Sequence, residues 1–322
     1  MYYNNFALDI CEGLKSSEKN FPVKYLYDST GSSIFEKITK NKDYYLAHCE
    51  LNILAENADE IVAHIHQGSV LIELGSGCAE KTRSLLDALI KKQGKSLFVP
   101  VDIAGEYLRE NIKKLKADYP ELVIQGVVAD YHKGIKEITS NISEPKFILW
   151  LGSDIGHLPH QQAAEFIKNF IVDFMSDDDY ILLGIDLKKD TDVIESAYGH
   201  QPNSPIHKLS SNLALNGLAR INNQLGGNFD LSLFQYHCKY NIGTGSIDIA
   251  LQSLCHQIVY LSEVDLTVSF AKDELIRVHS SYKYSVQDIE QLASTCGLKI
   301  LDQWFDKGFL YSVSLFKRAH PS

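Results

Sequence analysis

A glycine turn and a series of strand-end acids carry the first chemical signal in this 322-residue chain. In VLIELGSGCAEKT, Val70 to Thr82, an apolar run of strand length meets Gly75, Ser76 and Gly77. Those residues let the backbone turn sharply and approach a ligand without Cβ interference. A helix from about Ala79 to Leu89 would present unpaired N–H groups at that turn. Glu80 stands where a dinucleotide-binding G-x-G-x-x-G has its third glycine, which disfavours a pyrophosphate ligand and with it a nicotinamide dehydrogenase. A cofactor without phosphate fits better, held by backbone contact and by acids such as Glu73 that favour a positive charge. S-adenosylmethionine is the common one. Asp102, ending the next apolar run, is placed to accept from both ribose hydroxyls, and Asp130, ending the one after, is placed for the adenine amino group. Each acid alone could equally be a helix cap. In register with the glycine turn, they converge on a ligand.

The elements that must position these residues follow from periodicity. After Val70–Leu74, strands are expected at 97–101, 122–128, 147–151 and 180–185, alternating with helices at 106–116 and 161–174. This is the pattern of a doubly wound α/β sheet, whose ligands bind at the carboxyl ends of the strands. Residues 1–66 read as a mainly helical segment, with helices over 31–39 and 48–65 covering the site. The alternation stops at 191–284, where Pro202, Pro205 and Gly226-Gly227 interrupt the chain. Strands are expected there at 247–254, 257–261 and 266–270, so the segment reads as an inserted α+β substrate-binding lobe. A helix at 286–296 and strands at 298–305 and 309–316 would return the chain to the sheet, giving a main domain of 67–190 and 285–322.

Composition excludes several functions. A formal net charge of −10 argues against a nucleic-acid partner, which needs clustered Lys and Arg. No stretch approaches the roughly 18 apolar residues of a membrane span, and no export signal opens the chain. The six cysteines are scattered without C-x-x-C spacing, which suits a reducing cytoplasm and indicates neither disulfides nor a zinc ribbon. His157 with His160, and His64 with His66, lack the carboxylate or cysteine partners of a metal site, and no metal is expected.

Taken together, YDSTGSSIFEKITKNKDYY, LIELGSGCAEKTRSLLDAL, VPVDIA, LGSDIGHL, LLGIDLKKD, AYG and SSYKY resemble the histidine-specific N-α-methyltransferases that open ergothioneine biosynthesis. The likeness runs from about Phe21 to Phe316. It implies a Rossmann-like class I methyltransferase sheet, S-adenosylmethionine as cofactor, and a free amino acid methylated on its α-amino nitrogen. By the same resemblance Gly75, Lys81, Asp102, Asp130 and Tyr131 hold the cofactor, to which the glycine turn adds Gly77, and Tyr27 lies by the reacting groups as the candidate catalytic residue. Tyr44, Gly152, Tyr198 and Ser281 would line the amino-acid pocket. Any one of these tyrosines could also be ordinary half-buried packing.

Two positions depart from the family pattern. His157 replaces the asparagine expected after LGS-x-IG, and His279 replaces the glutamate expected two residues before Ser281. In the family those positions hold the substrate's main-chain end and its imidazole, respectively. A neutral histidine still donates one hydrogen bond, so His157 is compatible with main-chain recognition. An imidazole at 279 cannot replace a carboxylate's charge, which weakens histidine as substrate and favours an aromatic amino acid, a tryptophan-type amine, or a substrate with an acidic or acceptor side chain. The two changes also motivate a reading of another class, a non-catalytic S-adenosylmethionine-binding protein.

Overall fold

The computed structural model describes residues 2–319. In chain order the elements are α1 (Tyr2–Lys15), α2 (Ser29–Thr39), α3 (Tyr45–His64), β1 (Val70–Leu74), α4 (Arg83–Gln93), β2 (Ser96–Asp102), α5 (Gly105–Asp118), β3 (Leu122–Ile124) and β4 (Val127–Val128). They continue with α6 (Tyr131–Asn141), β5 (Lys146–Trp150), α7 (His160–Phe166), β6 (Tyr180–Asp186), α8 (Thr191–Ala197), α9 (Pro205–Leu225) and β7 (Phe234–Asn241). The last are β8 (Ser246–Ser253), β9 (Gln257–Leu261), β10 (Leu266–Phe270), β11 (Leu275–Tyr282), α10 (Val286–Cys296), β12 (Leu298–Phe305) and β13 (Tyr311–Arg318).

Two compact units result. One comprises Tyr45–Lys189 with Tyr282–Ser322, the other the chain up to Tyr44 with Asp190–Ser281. The sequence reading grouped 48–65 with the N-terminal segment, whereas α3 belongs to the sheet unit. There it packs against α4 and β13 through Leu46, Ile53, Leu54, Ile61 and Val62.

In the sheet unit the strand order is β12-β13-β6-β5-β1-β2-β3, with β4 beside β2. β1, β2, β3, β5 and β6 run parallel, and β13 and β12 close one side antiparallel. The central strands β1, β5 and β6 are buried at every position, as expected of strands covered on both faces. This is a Rossmann-like α/β sheet, and the apolar runs announced it. The run expected at 122–128 is split at Gln125 and Gly126, although the Gln125 N–H still donates to Phe98 O of β2.

The other unit holds a three-stranded sheet, β11-β8-β7, and the hairpin β9-β10. Helix α9 is capped by Ser204, whose side chain accepts from His207 N, with Pro205 at the first helical position. β7 and β11 are additions to the sequence reading. Their sequences, FQYHCKYN and LIRVHSSY, are half polar, which thins the apolar signal.

Candidate active site

The glycine turn after β1 is built as a cradle, though not as expected. Helix α4 begins at Arg83, and Ala79 takes a positive φ of 54°, so residues 79–82 form a turn and the helix starts four residues later than expected. Thr82, directly before the helix, does not cap it. Its hydroxyl instead donates to Glu73 Oε1 at 2.6 Å. Burial pushes the Glu73 carboxyl up to about 8, so it is protonated at neutral pH and supplies no negative charge to a ligand.

Gly75 has φ +70°, and its N–H and that of Ser76 both donate to Val101 O. A Cβ on Gly75 would lie 2.7 Å from the Tyr131 hydroxyl and 3.0 Å from Asp154 Oδ2, so only glycine lets these groups close over the turn. Tyr131 donates to Asp154 there, and its ring packs edge-on to Trp150. Asp102 ends β2 with one oxygen accepting from Gly77 N and the other from Ala104 N, both at 2.9 Å. A carboxylate offers about four lone-pair sites, so acceptor capacity for a pair of ribose hydroxyls is left over. The buried Ser76 Oγ and Glu73 Oε2 have no hydrogen-bond partner. Orphaned polar atoms beside a two-point acceptor suit a ligand rich in hydroxyl and amino groups. Asp130 caps α6 by accepting from Lys133 N at 3.0 Å, so the helix-cap role applies to it whether or not it also meets a ligand.

Lys81 and Gly152 are brought together by a residue the sequence reading did not single out, the fully buried Glu50 of α3. Lys81 is ion-paired with Glu50, and the Gly152 N–H donates to Glu50 Oε1 and Oε2 at 2.8 and 3.0 Å. Burial opposes the Lys81 charge, but Glu50 overcomes it and raises the ammonium's pKa. With its N–H engaged, Gly152 can offer a substrate only its carbonyl and the space where a side chain would stand. Its φ of +78° also requires glycine. His157 is half-buried at the end of the following short turn, and burial lowers its pKa, so a neutral ring is present at neutral pH.

Beneath that turn lies a buried cluster. Asp186, ending β6, accepts from Lys283 at 2.8 Å, from Lys189, and from the Tyr45 hydroxyl at 2.9 and 3.0 Å. Its backbone N–H donates to Ser153 Oγ at 3.0 Å.

The other unit holds Tyr27, Tyr44, Tyr198, His279 and Ser281. Rings run edge to face from Tyr27 to Phe35 at 5.5 Å, from Phe35 to Tyr44 at 6.2 Å, and from Tyr44 to Tyr198 at 6.0 Å. Phe35 lies on α2, within the helix expected over 31–39, and its place in GSSIF is the available signal. The Tyr198 hydroxyl donates to Ser281 Oγ at 3.0 Å, while Tyr236 OH fixes the Tyr198 carbonyl at 2.7 Å. His279 and Ser281 stand two residues apart on β11 and share a face, opposite that of the buried Ile276 and Val278.

Across residues 6–318 the chain matches the model of a family described as histidine-specific methyltransferase, SAM-dependent. The chain belongs to that family. It is 32% identical over 310 residues to the histidine N-alpha-methyltransferase of Mycolicibacterium smegmatis, covering 96% of this chain and 94% of that one. It is 28% identical over 309 residues to a 4-dimethylallyltryptophan N-methyltransferase of Arthroderma benhamiae, covering 92% and 88%. A crystal structure of an S-adenosylmethionine-dependent methyltransferase from Clostridium acetobutylicum aligns over 90% of this chain and 98% of that one at 15% identity, with a TM-score of 0.47. By its family the protein is an S-adenosylmethionine-dependent methyltransferase, an enzyme, and its own strand order gives the Rossmann-like fold.

Among the described residues of this methyltransferase no helix is long and apolar enough to cross a membrane, and no cluster of His, Cys, Asp or Glu could hold a metal. Asp102→Asn is expected to weaken S-adenosylmethionine binding about tenfold. One amide oxygen must then serve two backbone donors and the ribose, at about the 1.4 kcal/mol that a tenfold change represents. Calorimetry that finds unchanged affinity in a folded variant would remove Asp102 from the cofactor site.

Proposed function

We propose that this methyltransferase adds methyl groups to the α-amino nitrogen of a free amino acid, with a side-chain pocket altered from the histidine-type pattern at His157 and His279. The observation that carries the reading is the Tyr198–Ser281 hydrogen bond on the wall of aromatic rings formed by Tyr27, Phe35, Tyr44 and Tyr198. A quaternising amine gains positive charge, and such rings stabilise a cation by about 0.5–2 kcal/mol each. The names of both relatives, a histidine N-alpha-methyltransferase and a 4-dimethylallyltryptophan N-methyltransferase, support amine methylation of an amino acid.

S-adenosylmethionine supplies an electrophilic methyl on a sulfonium, and the remaining work falls to the chain. Asp102, Gly75, Gly77, Lys81, Asp130 and Tyr131 bind and orient that cofactor. The Gly152 carbonyl and the neutral His157 read the main-chain end of the substrate, which restricts the enzyme to free amino acids and excludes protein substrates. Tyr27 would steer the substrate amine through its hydroxyl, and positioning of this kind supplies several kcal/mol of a displacement barrier. Loss of the amine proton needs little help, since a model α-amino group has a pKa of about 8 and a neighbouring sulfonium lowers it. The six free cysteines support a reducing, cytoplasmic setting.

A second reading is favoured by one residue. His279 has no fixed negative charge for a cationic imidazole, so an aromatic or tryptophan-type amine is the alternative substrate. Incubation with S-adenosylmethionine and the twenty free amino acids plus simple aromatic amines, followed by mass measurement, decides between them. Methylation of none would overturn the proposal. Tyr27→Phe is expected to lower kcat by about tenfold or more while leaving cofactor affinity within about twofold, the signature of a group acting after binding. Equal losses in both would reduce Tyr27 to a binding wall.

A further inference from the structure

The polar groups around Glu50 account for its whole carboxylate. Oε1 accepts from Gly152 N at 2.8 Å and from the Tyr311 hydroxyl at 2.8 Å, and Oε2 accepts from Gly152 N at 3.0 Å and from the Lys81 ammonium. The side chain is 0% exposed, reaching from α3 to the ends of β5 and β13 and to the turn after β1. β6 makes room for it. A Cβ on Gly184 would fall 1.8 Å from Glu50 Oε1 and 2.6 Å from the Tyr311 hydroxyl, so strand β6 carries glycine where this carboxylate crosses. Burying a carboxylate is costly unless every lone pair is used, and here each contact ends on a separate element. Lys81 lies close to the Gly152 turn, its Nζ standing 3.3 Å from where a Gly152 Cβ would be.

We propose that Glu50 is a positioning residue for methyl transfer, a buried carboxylate that sets the Lys81 ammonium and the Gly152 turn in one fixed arrangement. The inference rests on the reading that Lys81 meets the cofactor and Gly152 the amino acid. Glu50 itself accepts only from protein donors among the described residues. An ammonium has three donors, and Glu50 engages one face of it, which leaves Lys81 oriented toward an anionic group such as the carboxylate of the cofactor's methionine end. Through the Gly152 N–H, the same carboxylate fixes where the Gly152 carbonyl points.

The test compares Glu50→Gln, Lys81→Met and the double variant by calorimetry with S-adenosylmethionine and by kcat and KM for whichever substrate the mass assay identifies. Glu50→Gln keeps the side chain's size while removing the charge that Lys81 faces. We expect cofactor affinity to fall about tenfold and kcat about tenfold or more, and the second substitution to add less than about threefold in the Lys81→Met background. That non-additivity would not arise from a residue that only supports the fold. Unchanged affinity and kcat in a folded Glu50→Gln, or fully additive losses, would overturn the inference. Should Glu50→Gln fail to fold, Tyr311→Phe decides, since it removes one donor to Oε1 and leaves the carboxylate. A loss of about threefold in cofactor affinity supports the role, and none refutes it. The calorimetric arm needs no amino acid, so failure of the proposed substrate class and failure of this role remain distinguishable.

Discussion

Asp186→Asn is expected to cost about 3–5 kcal/mol of folding stability, the range for breaking a buried ion pair by removing one partner. The carboxylate sits between two ammoniums, Lys189 and Lys283, whose side chains are 6% and 0% exposed, with the Tyr45 hydroxyl as a third donor. An amide keeps the shape but leaves two buried cations facing a neutral group and brings an NH2 where a donor has no acceptor. Burial alone would raise the carboxyl's pKa, yet Lys283 and Lys189 outweigh it and hold the value below the usual 3.8. A depressed folded value means that the stabilisation is complete above the unfolded pKa and is lost as pH falls through the folded one. The deficit of the variant should therefore be level between about pH 5 and 8 and shrink in acid below about pH 4. Burial also lowers the pKa of Lys189, so at alkaline pH that residue can discharge and relieve part of the loss. Denaturant titrations across pH check this. A deficit under about 1 kcal/mol at pH 7 would mean that the lysines find another counter-charge.

His279→Glu is expected to raise kcat/KM for histidine by about one to two orders of magnitude, most of it through KM. A carboxylate at that position can accept a charge-assisted hydrogen bond from an imidazolium, worth about 1.5–3 kcal/mol, whereas an imidazole offers at best a neutral acceptor and in acid a second cation. β11 supports the geometry, because residue 279 shares a face with Ser281, whose hydroxyl is held by Tyr198. Kinetics with histidine and with an aromatic amino acid test it together, and preference for the aromatic substrate should fall as histidine improves. Efficient histidine methylation by the wild type, untouched by the substitution, would show that another group reads the side chain.

The two predictions differ in how far the sequence alone could have reached them. His279 was legible because a short motif, SSYKY, fixed its place relative to Ser281. The Rossmann-like strands were legible for a local reason as well, since β1, β5 and β6 are mostly apolar runs of strand length that lead into an acid or a glycine. The Asp186 cluster was not. Lys283 lies far along the chain from Asp186, and nothing local distinguishes a buried lysine from a solvated one. Glu50 was hidden similarly, as a charged residue on an amphipathic helix, where such residues ordinarily face water. The helix expected from Ala79 failed because Thr82 spends its hydroxyl on Glu73 rather than on a cap, a contact between strand and turn that periodicity does not register. At β7 and β11 the half-polar patterns carried too little apolar signal.

The place of β13 in the sheet bears on how the chain is made. β6 pairs with β5 on one edge and with β13 on the other, and β13 ends the described chain, with all of 190–281 between them in sequence. As the polypeptide leaves the ribosome, β6 emerges with one row of N–H and C=O groups that no nascent residue can yet satisfy, and a strand with so apolar a stretch as YILL is in that state a template for pairing with other chains. The same late strand delivers Tyr311 to Glu50, so the buried carboxylate also gains that donor only once β13 has emerged. A pairing so distant in sequence closes slowly. The interval between emergence of Asp186 and of Tyr311 is thus when this methyltransferase is most exposed to aggregation and most in need of a chaperone.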